Sequence, residues 1–170
     1  IRKIVEGNDL STKDELYQGL MNLGINNLLI PEENGGLGLD LLFAVAISQS
    51  LGAGVATLPF IGPYVMAPIA IKHAANEKQK NTLFKGMTDN SINFCIGFSE
   101  YFGSRDSSDI TFSKNKVNGK TLFVIDGDYA THVMLCNKAG QIGVASLDSK
   151  GIKTINLTTV DKTRTYKEMH

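Results

Sequence analysis

Apolar and polar residues recur at two different periods along this chain, and the change of period comes near residue 90. Before it the spacing is helical. Ser11 or Thr12 can cap a helix whose first turn carries Asp14 and Glu15, Thr12 and Glu15 stand at capping-box spacing, and Gly24 offers a left-handed stop. Leu16, Leu20 and Leu23 then share one face. A second helix is predicted from about Leu39 to Leu51, closed by Gly52 or Gly54, and a third from about Phe60 to His73, kinked at Pro68. Asn76 caps a fourth through Phe84, with Gly86 after it. Beyond Asn90 the runs shorten and alternate: Ile92 to Phe98, Ile110 to Lys116, Leu122 to Ile125, Thr131 to Asn137, Gln141 to Leu147 and Ile152 to Leu157. Turn signals separate them at Asn118-Gly119, Asp126-Gly127, Ala139-Gly140 and Lys150-Gly151, which is how antiparallel strands are written. Helices followed by strands predict an α+β chain: an all-helical domain over residues 1–90, then an antiparallel β-barrel domain over 91–170.

Composition narrows the function classes. The 170 residues carry 17 basic and 17 acidic side chains, and only 20% are charged against a typical share of about 25%. Residues 1–90 hold 7 basic and 9 acidic side chains and residues 91–170 hold 10 and 8, so neither part steers a polyanion and no nucleic-acid partner is expected. Leu41 to Ile71 contains no charged residue, but Gly52, Gly54, Pro59, Gly62, Pro63 and Pro68 divide it into pieces too short for a membrane span. Cys95 and Cys136 lie in strand-like runs without CxxC spacing or a neighbouring His, so the sequence predicts free buried thiols, no metal site and a reducing, cytoplasmic compartment. No initiator Met and no basic-then-apolar leader opens the chain, which reads as an excerpt of something longer.

Three clusters carry candidate chemistry. Pro31-Glu32-Glu33-Asn34-Gly35-Gly36-Leu37-Gly38 is either a tight structural turn or a phosphate cradle, but it lacks the ending of a P-loop and the spacing of a dinucleotide fingerprint. Ser99 to Asp106 leaves the first strand with hydroxyls, backbone amides and the fixed cation of Arg105 converging on one loop, a ligand site or a capped turn. In Gly119 to Gly127 the two-residue strand period puts Phe123 and Ile125 on one face, where they either floor a flat aromatic ligand or belong to the core. His73, His132 and His170 support no hydrolytic triad.

Ile30 to Gly38, then Phe98-Ser99-Glu100, then Asn118-Gly119-Lys120 through Gly127, resemble in order and spacing the acyl-CoA dehydrogenase family, and the resemblance covers essentially the whole chain. It implies a helical amino-terminal domain and a middle β-barrel, here incomplete at its carboxy-terminal edge. It implies FAD held between the barrel and a following helical bundle, an acyl-CoA substrate beside the flavin, an electron-acceptor flavoprotein, and homo- or hetero-oligomers. It leaves the acyl group open between a fatty acid and a steroid side chain. The carboxylate that removes the α proton belongs to the bundle, so no catalytic residue is assigned here, and these residues alone are expected to be inactive.

Position by position, the family's aliphatic-Thr-Glu-Pro strand end aligns with Phe98, Ser99, Glu100 and Tyr101, and Ser99 keeps a hydroxyl. Its Gly-Ala-Gly-Ser-Asp aligns with Phe102-Gly103-Ser104-Arg105-Asp106, which makes Ser104 and Arg105 the substrate-side candidates. Its Trp-Ile-Thr/Ser-Asn-Gly aligns with Phe123-Val124-Ile125-Asp126-Gly127, where Phe123 keeps an aromatic face and Ile125 loses a hydroxyl. Phe98, Ser99, Phe123 and Ile125 are thus the cofactor candidates. Asp161-Lys162-Thr163-Arg164 resembles a segment of bacterial branches that pair unlike subunits, so a non-catalytic partner subunit with a degenerate FAD site is the alternative. A binding module that only holds an acyl thioester is a third reading.

Overall fold

A computed structural model describes residues 10–103 and 108–170 of the chain. Four α-helices come first: α1 (Leu10–Asn22), α2 (Leu41–Ala53), α3 (Ala67–Ala74) and α4 (Glu77–Thr88). Asp40 caps α2 by accepting the Leu42 N–H at 2.9 Å. At α4 the Asn76 side chain takes the Gln79 N–H while the Gln79 side chain takes the Asn76 N–H, each at 3.0 Å. That helix runs past Gly86, which is buried against Ile92, as far as Thr88.

Two helical expectations change. The predicted Phe60–His73 helix is a π turn over Gly62–Met66 followed by α3. Pro68 has no N–H to give the preceding turn, and the Ala67 N–H reaches back five residues to the Gly62 carbonyl. In α1 the buried residue is Tyr17 rather than the leucines, and Leu23 is 75% exposed. Tyr17 is drawn in because its ring stacks on Tyr129 at 3.9 Å and its hydroxyl lies 3.1 Å from that of Tyr64.

Seven strands follow: β1 (Phe94–Gly97), β2 (Asp109–Ser113), β3 (Lys116–Ile125), β4 (His132–Cys136), β5 (Ile142–Ser146), β6 (Thr154–Leu157) and β7 (Tyr166–Met169). The α+β order is as predicted, but the closed antiparallel barrel is corrected to an open, mixed sheet in the order β5-β4-β1-β3-β7-β6, with β2 paired to β3. The parallel pair is β1 with β4, Phe94 opposite His132 through Gly97 opposite Leu135. The β2–β3 hairpin intervenes between them in sequence, so β4 arrives beside β1 running the same way, and the edges β5 and β6 do not meet. Asn118-Gly119 is not the hairpin turn. That turn is Lys114-Asn115, both at positive φ, and Gly119 lies inside β3 at φ +130°, where a Cβ would sit 2.1 Å from the Asp109 carbonyl oxygen.

Strand alternation sorts the core. Phe94, Ile96 and Met134 face the helices and merge with Ile30, Ala67, Ile71, Phe84 and Met87. Cys95, Val124, Val133, Leu135 and Met169 pack with Ile110 on the opposite face. Both cysteines are free and buried, and burial pushes the Cys95 thiol up to about 12.

Candidate functional site

The glycine-rich turn after Ile30 spends its amides internally. Leu37, Gly38 and Leu39 donate to the carbonyls of Asn27, Ile30 and Leu28 at 2.9, 2.8 and 3.0 Å, and Gly36 donates to Pro31 at 3.1 Å. A Cβ at Gly36 would meet the Ile30 carbonyl oxygen at 2.1 Å. The amides of Asn34 through Gly38 are thus all taken up within the fold, which makes this loop a folded structural turn and not a glycine-built phosphate cradle.

The sequence candidates Phe98, Ser99, Phe123 and Ile125 come together where β1 and β3 run side by side. Ile96 pairs with Ile125, and the Ser99 hydroxyl reaches the Leu122 carbonyl oxygen. Phe98 and Ile125 are partly buried and lean on the core between sheet and helices. The predicted shared face of Phe123 and Ile125 is altered by a β-bulge. Along β3 Thr121 pairs with Met169 and Val124 with Lys167, so three steps on β3 match two on β7. Phe123 sits on this bulge at φ +54° and is 44% exposed, flanked by buried Leu122 and Val124. A bulky residue in the left-handed region stores strain of about 1–3 kcal/mol, which its surroundings must offset.

Glu100, to which the sequence pattern assigns no role, meets the bulge with its carboxylate. Its carboxylate, 1% exposed, accepts the Thr121 hydroxyl at 2.6 Å and the Leu122 N–H at 2.9 Å. The Ser99 hydroxyl is 2.9 Å from the same carboxylate and also contacts the Leu122 carbonyl. A serine has one proton to give, so once Ser99 donates to one of these acceptors its oxygen has only acceptor capacity left. The shelf therefore offers a flat ligand one exposed ring face and one acceptor, while Ile125 offers only van der Waals contact.

The far end of β3 is tied to the helices by Asp126. Its buried carboxylate accepts the Gly62 N–H at 2.8 Å and lies 3.6 Å from Arg164 Nη1, which itself donates to the Leu58 carbonyl at 3.1 Å. Burial raises the Asp126 carboxyl above its ordinary range, against the opposing pull of the Gly62 amide and the Arg164 guanidinium. Nearby, Lys13 pairs with Asp128 at 2.5 Å and Tyr129 donates to Asp14. Ser104 and Arg105 lie outside the described residues. Among the described residues no group of His, Cys, Asp and Glu side chains is arranged to hold a metal ion, and no helix is long and apolar enough to cross a membrane.

The fold is shared with solved structures. An acyl-CoA dehydrogenase of Bacillus anthracis complexed with FAD superposes with a TM-score of 0.78 at 16% identity, over 98% of this chain and 31% of that one. The ChsE4–ChsE5 complex of Mycobacterium tuberculosis gives 0.75 at 18% identity, covering 92% of this chain and 44% of that one. An acyl-CoA dehydrogenase of Geobacillus kaustophilus gives 0.74 at 18%, covering 91% and 46%. The chain spans less than half the length of each, and at these identities the likeness establishes the fold. No curated protein matches the sequence significantly. The family description "Acyl-CoA dehydrogenase, N-terminal domain" matches residues 2–91, more than half of the chain, and on that match the chain belongs to the acyl-CoA dehydrogenase family.

Proposed function

We propose that this chain is part of a flavin-dependent acyl-CoA dehydrogenase, with residues 1–90 as its helical domain and 91–170 as its middle domain. The observation that carries the reading is the shelf where β1 and β3 lie side by side: an exposed Phe123 ring, the Ser99 hydroxyl beside it, and Phe98 and Ile125 as apolar backing. Those residues fit a flat heteroaromatic ring, Phe123 by stacking and Ser99 by accepting a ring N–H. FAD, when bound, supplies the acceptor for the hydride that leaves the β carbon of an acyl-CoA. By the family resemblance Ser104 and Arg105 are the proposed substrate-binding residues. The base that takes the α proton is assigned to a following helical bundle by family resemblance, and no carboxylate among these residues replaces it. The proposed setting is cytoplasmic, with a flavoprotein as electron acceptor, and the substrate is an acyl-CoA bearing a fatty acid or steroid side chain.

The test is direct. The full-length protein should carry FAD or take it up on addition, and an acyl-CoA panel added anaerobically should bleach the flavin. Protein that neither holds nor acquires FAD sinks the reading.

One observation favours a second reading, a non-catalytic partner subunit. Ile125 takes the position where the family has a hydroxyl, and it leans on the core. A lost polar contact in a buried site costs about 1–3 kcal/mol, enough to empty a weak site. The related ChsE4–ChsE5 structure is itself a complex of two differently named chains. On this reading FAD per chain in the assembled oligomer falls below one, and Ile125→Thr raises it.

A further inference from the structure

We infer that Glu100 is a positioning residue for the shelf: its carboxylate holds open the β3 bulge that turns Phe123 outward and sets Ser99 beside it. The inference rests on the flavin reading above. Its basis is where the backbone groups of the bulge go. The segment between Thr121 and Val124 is out of step with β7, and at the same place, on the side where β1 has ended, the Leu122 N–H is satisfied by Glu100 Oε1 at 2.9 Å. The other carboxylate oxygen takes the hydroxyl of Thr121, the residue that opens the bulge, at 2.6 Å. One side chain from the end of β1 thus binds two consecutive residues of β3. A glutamate buried to 1% exposure is rare unless its oxygens are satisfied, and here Thr121, Leu122 and Ser99 all approach them.

Without the carboxylate the Leu122 amide is left in a buried place with no acceptor and Thr121 loses its tie to the end of β1. The bulge then lacks the restraint that keeps Phe123 at positive φ with its ring turned outward. Glu100 therefore acts through Phe123 and Ser99, without itself touching the ligand.

Full-length wild-type, E100A and E100Q proteins are compared for FAD binding by quenching of flavin fluorescence, for the absorption spectrum of the bound flavin, and for amide hydrogen exchange of the ligand-free protein over residues 121–124. E100A is expected to weaken FAD binding about tenfold or more, the scale of one lost charge-assisted hydrogen bond. It should also shift the flavin band and speed exchange at the bulge, while exchange at Ile96 and Met134 stays unchanged. E100Q, which keeps one acceptor oxygen for the Leu122 amide, should recover most of the affinity. If E100A does not fold, T121V removes one donor at nearly constant shape and should weaken binding in the same direction. Wild-type protein that takes up no FAD overturns the flavin reading and this assignment with it. Wild-type protein that binds FAD beside an E100A or T121V protein binding within about twofold, with an unshifted spectrum, overturns the assignment alone.

Discussion

Strands β3 and β4 lie on either side of β1 and obey different rules. In β4 every residue after His132 is buried, His132 through Leu135 pair in register with both β1 and β5, and the side chains of Val133, Met134 and Leu135 feed opposite cores in turn. In β3 the alternation fails between Thr121 and Val124, an aromatic ring is left half in solvent, and a buried carboxylate takes the freed amide. The regular strand is explained by packing alone. The irregular one spends hydrogen bonds and backbone strain on presenting a ring, which is an arrangement that stability by itself does not require.

The contrast can be broken by paired substitutions. Phe94→Ala, in the core beside β4, should lower the unfolding free energy by about 3–5 kcal/mol, whereas Phe123→Ala should change it by about 0.5 kcal/mol or less while weakening FAD binding. Denaturant titration of both, alongside FAD titration, checks this, and an equal stability loss at the two sites would erase the distinction.

Asp126 tests the far end of β3. Asp126→Ala leaves the Gly62 amide without its acceptor and should cost about 1–3 kcal/mol, while Asp126→Asn keeps an acceptor. The sign of the pH effect follows from the raised carboxyl. The folded state holds this proton more tightly than the unfolded chain, so the contribution is fully present below the ordinary aspartate value and is lost as pH rises through the folded value. Melting curves of wild type and Asp126→Asn should therefore draw apart on going from pH 4 to pH 7, with the asparagine protein gaining relative to wild type.

The smallest effect is expected on β7, where it pairs with β3. Glu168 pairs with Lys120 at 2.8 Å and His170 at 2.6 Å, and these partners hold its carboxyl below the usual range. This contribution is present above the ordinary glutamate value and fades as pH falls through the folded one, so a slight advantage of wild type over Glu168→Gln at pH 7 should vanish in acid and in high salt.

Much of this architecture is legible in residue order. Asn76 announces α4, Ala139-Gly140 marks the β4–β5 turn, and the change of period near residue 90 divides helices from strands. The juxtaposition of Phe98 and Ser99 with Phe123 and Ile125 is readable as well, because it depends on two neighbouring strands. What period alone misses is decided by partners distant in sequence. Tyr17 is buried by Tyr64 and Tyr129, and the bulge under Phe123 depends on Glu100. Strand β7, Tyr-Lys-Glu-Met, has too little apolar alternation to announce itself, and it forms because β3 and β6 present free edges to it. The parallel β1–β4 pairing is a property of chain path, which no local window of sequence contains.

The mixed core has a consequence for how the molecule comes apart. Ile30, Ala67, Ile71, Phe84 and Met87 from the helices share one cluster with Phe94, Ile96 and Met134 from the sheet. Melting either set strips the other of its cover, so heat should drive one cooperative endotherm instead of two, and a protease cut between Thr88 and Phe94 should yield fragments that stay associated until both are lost together.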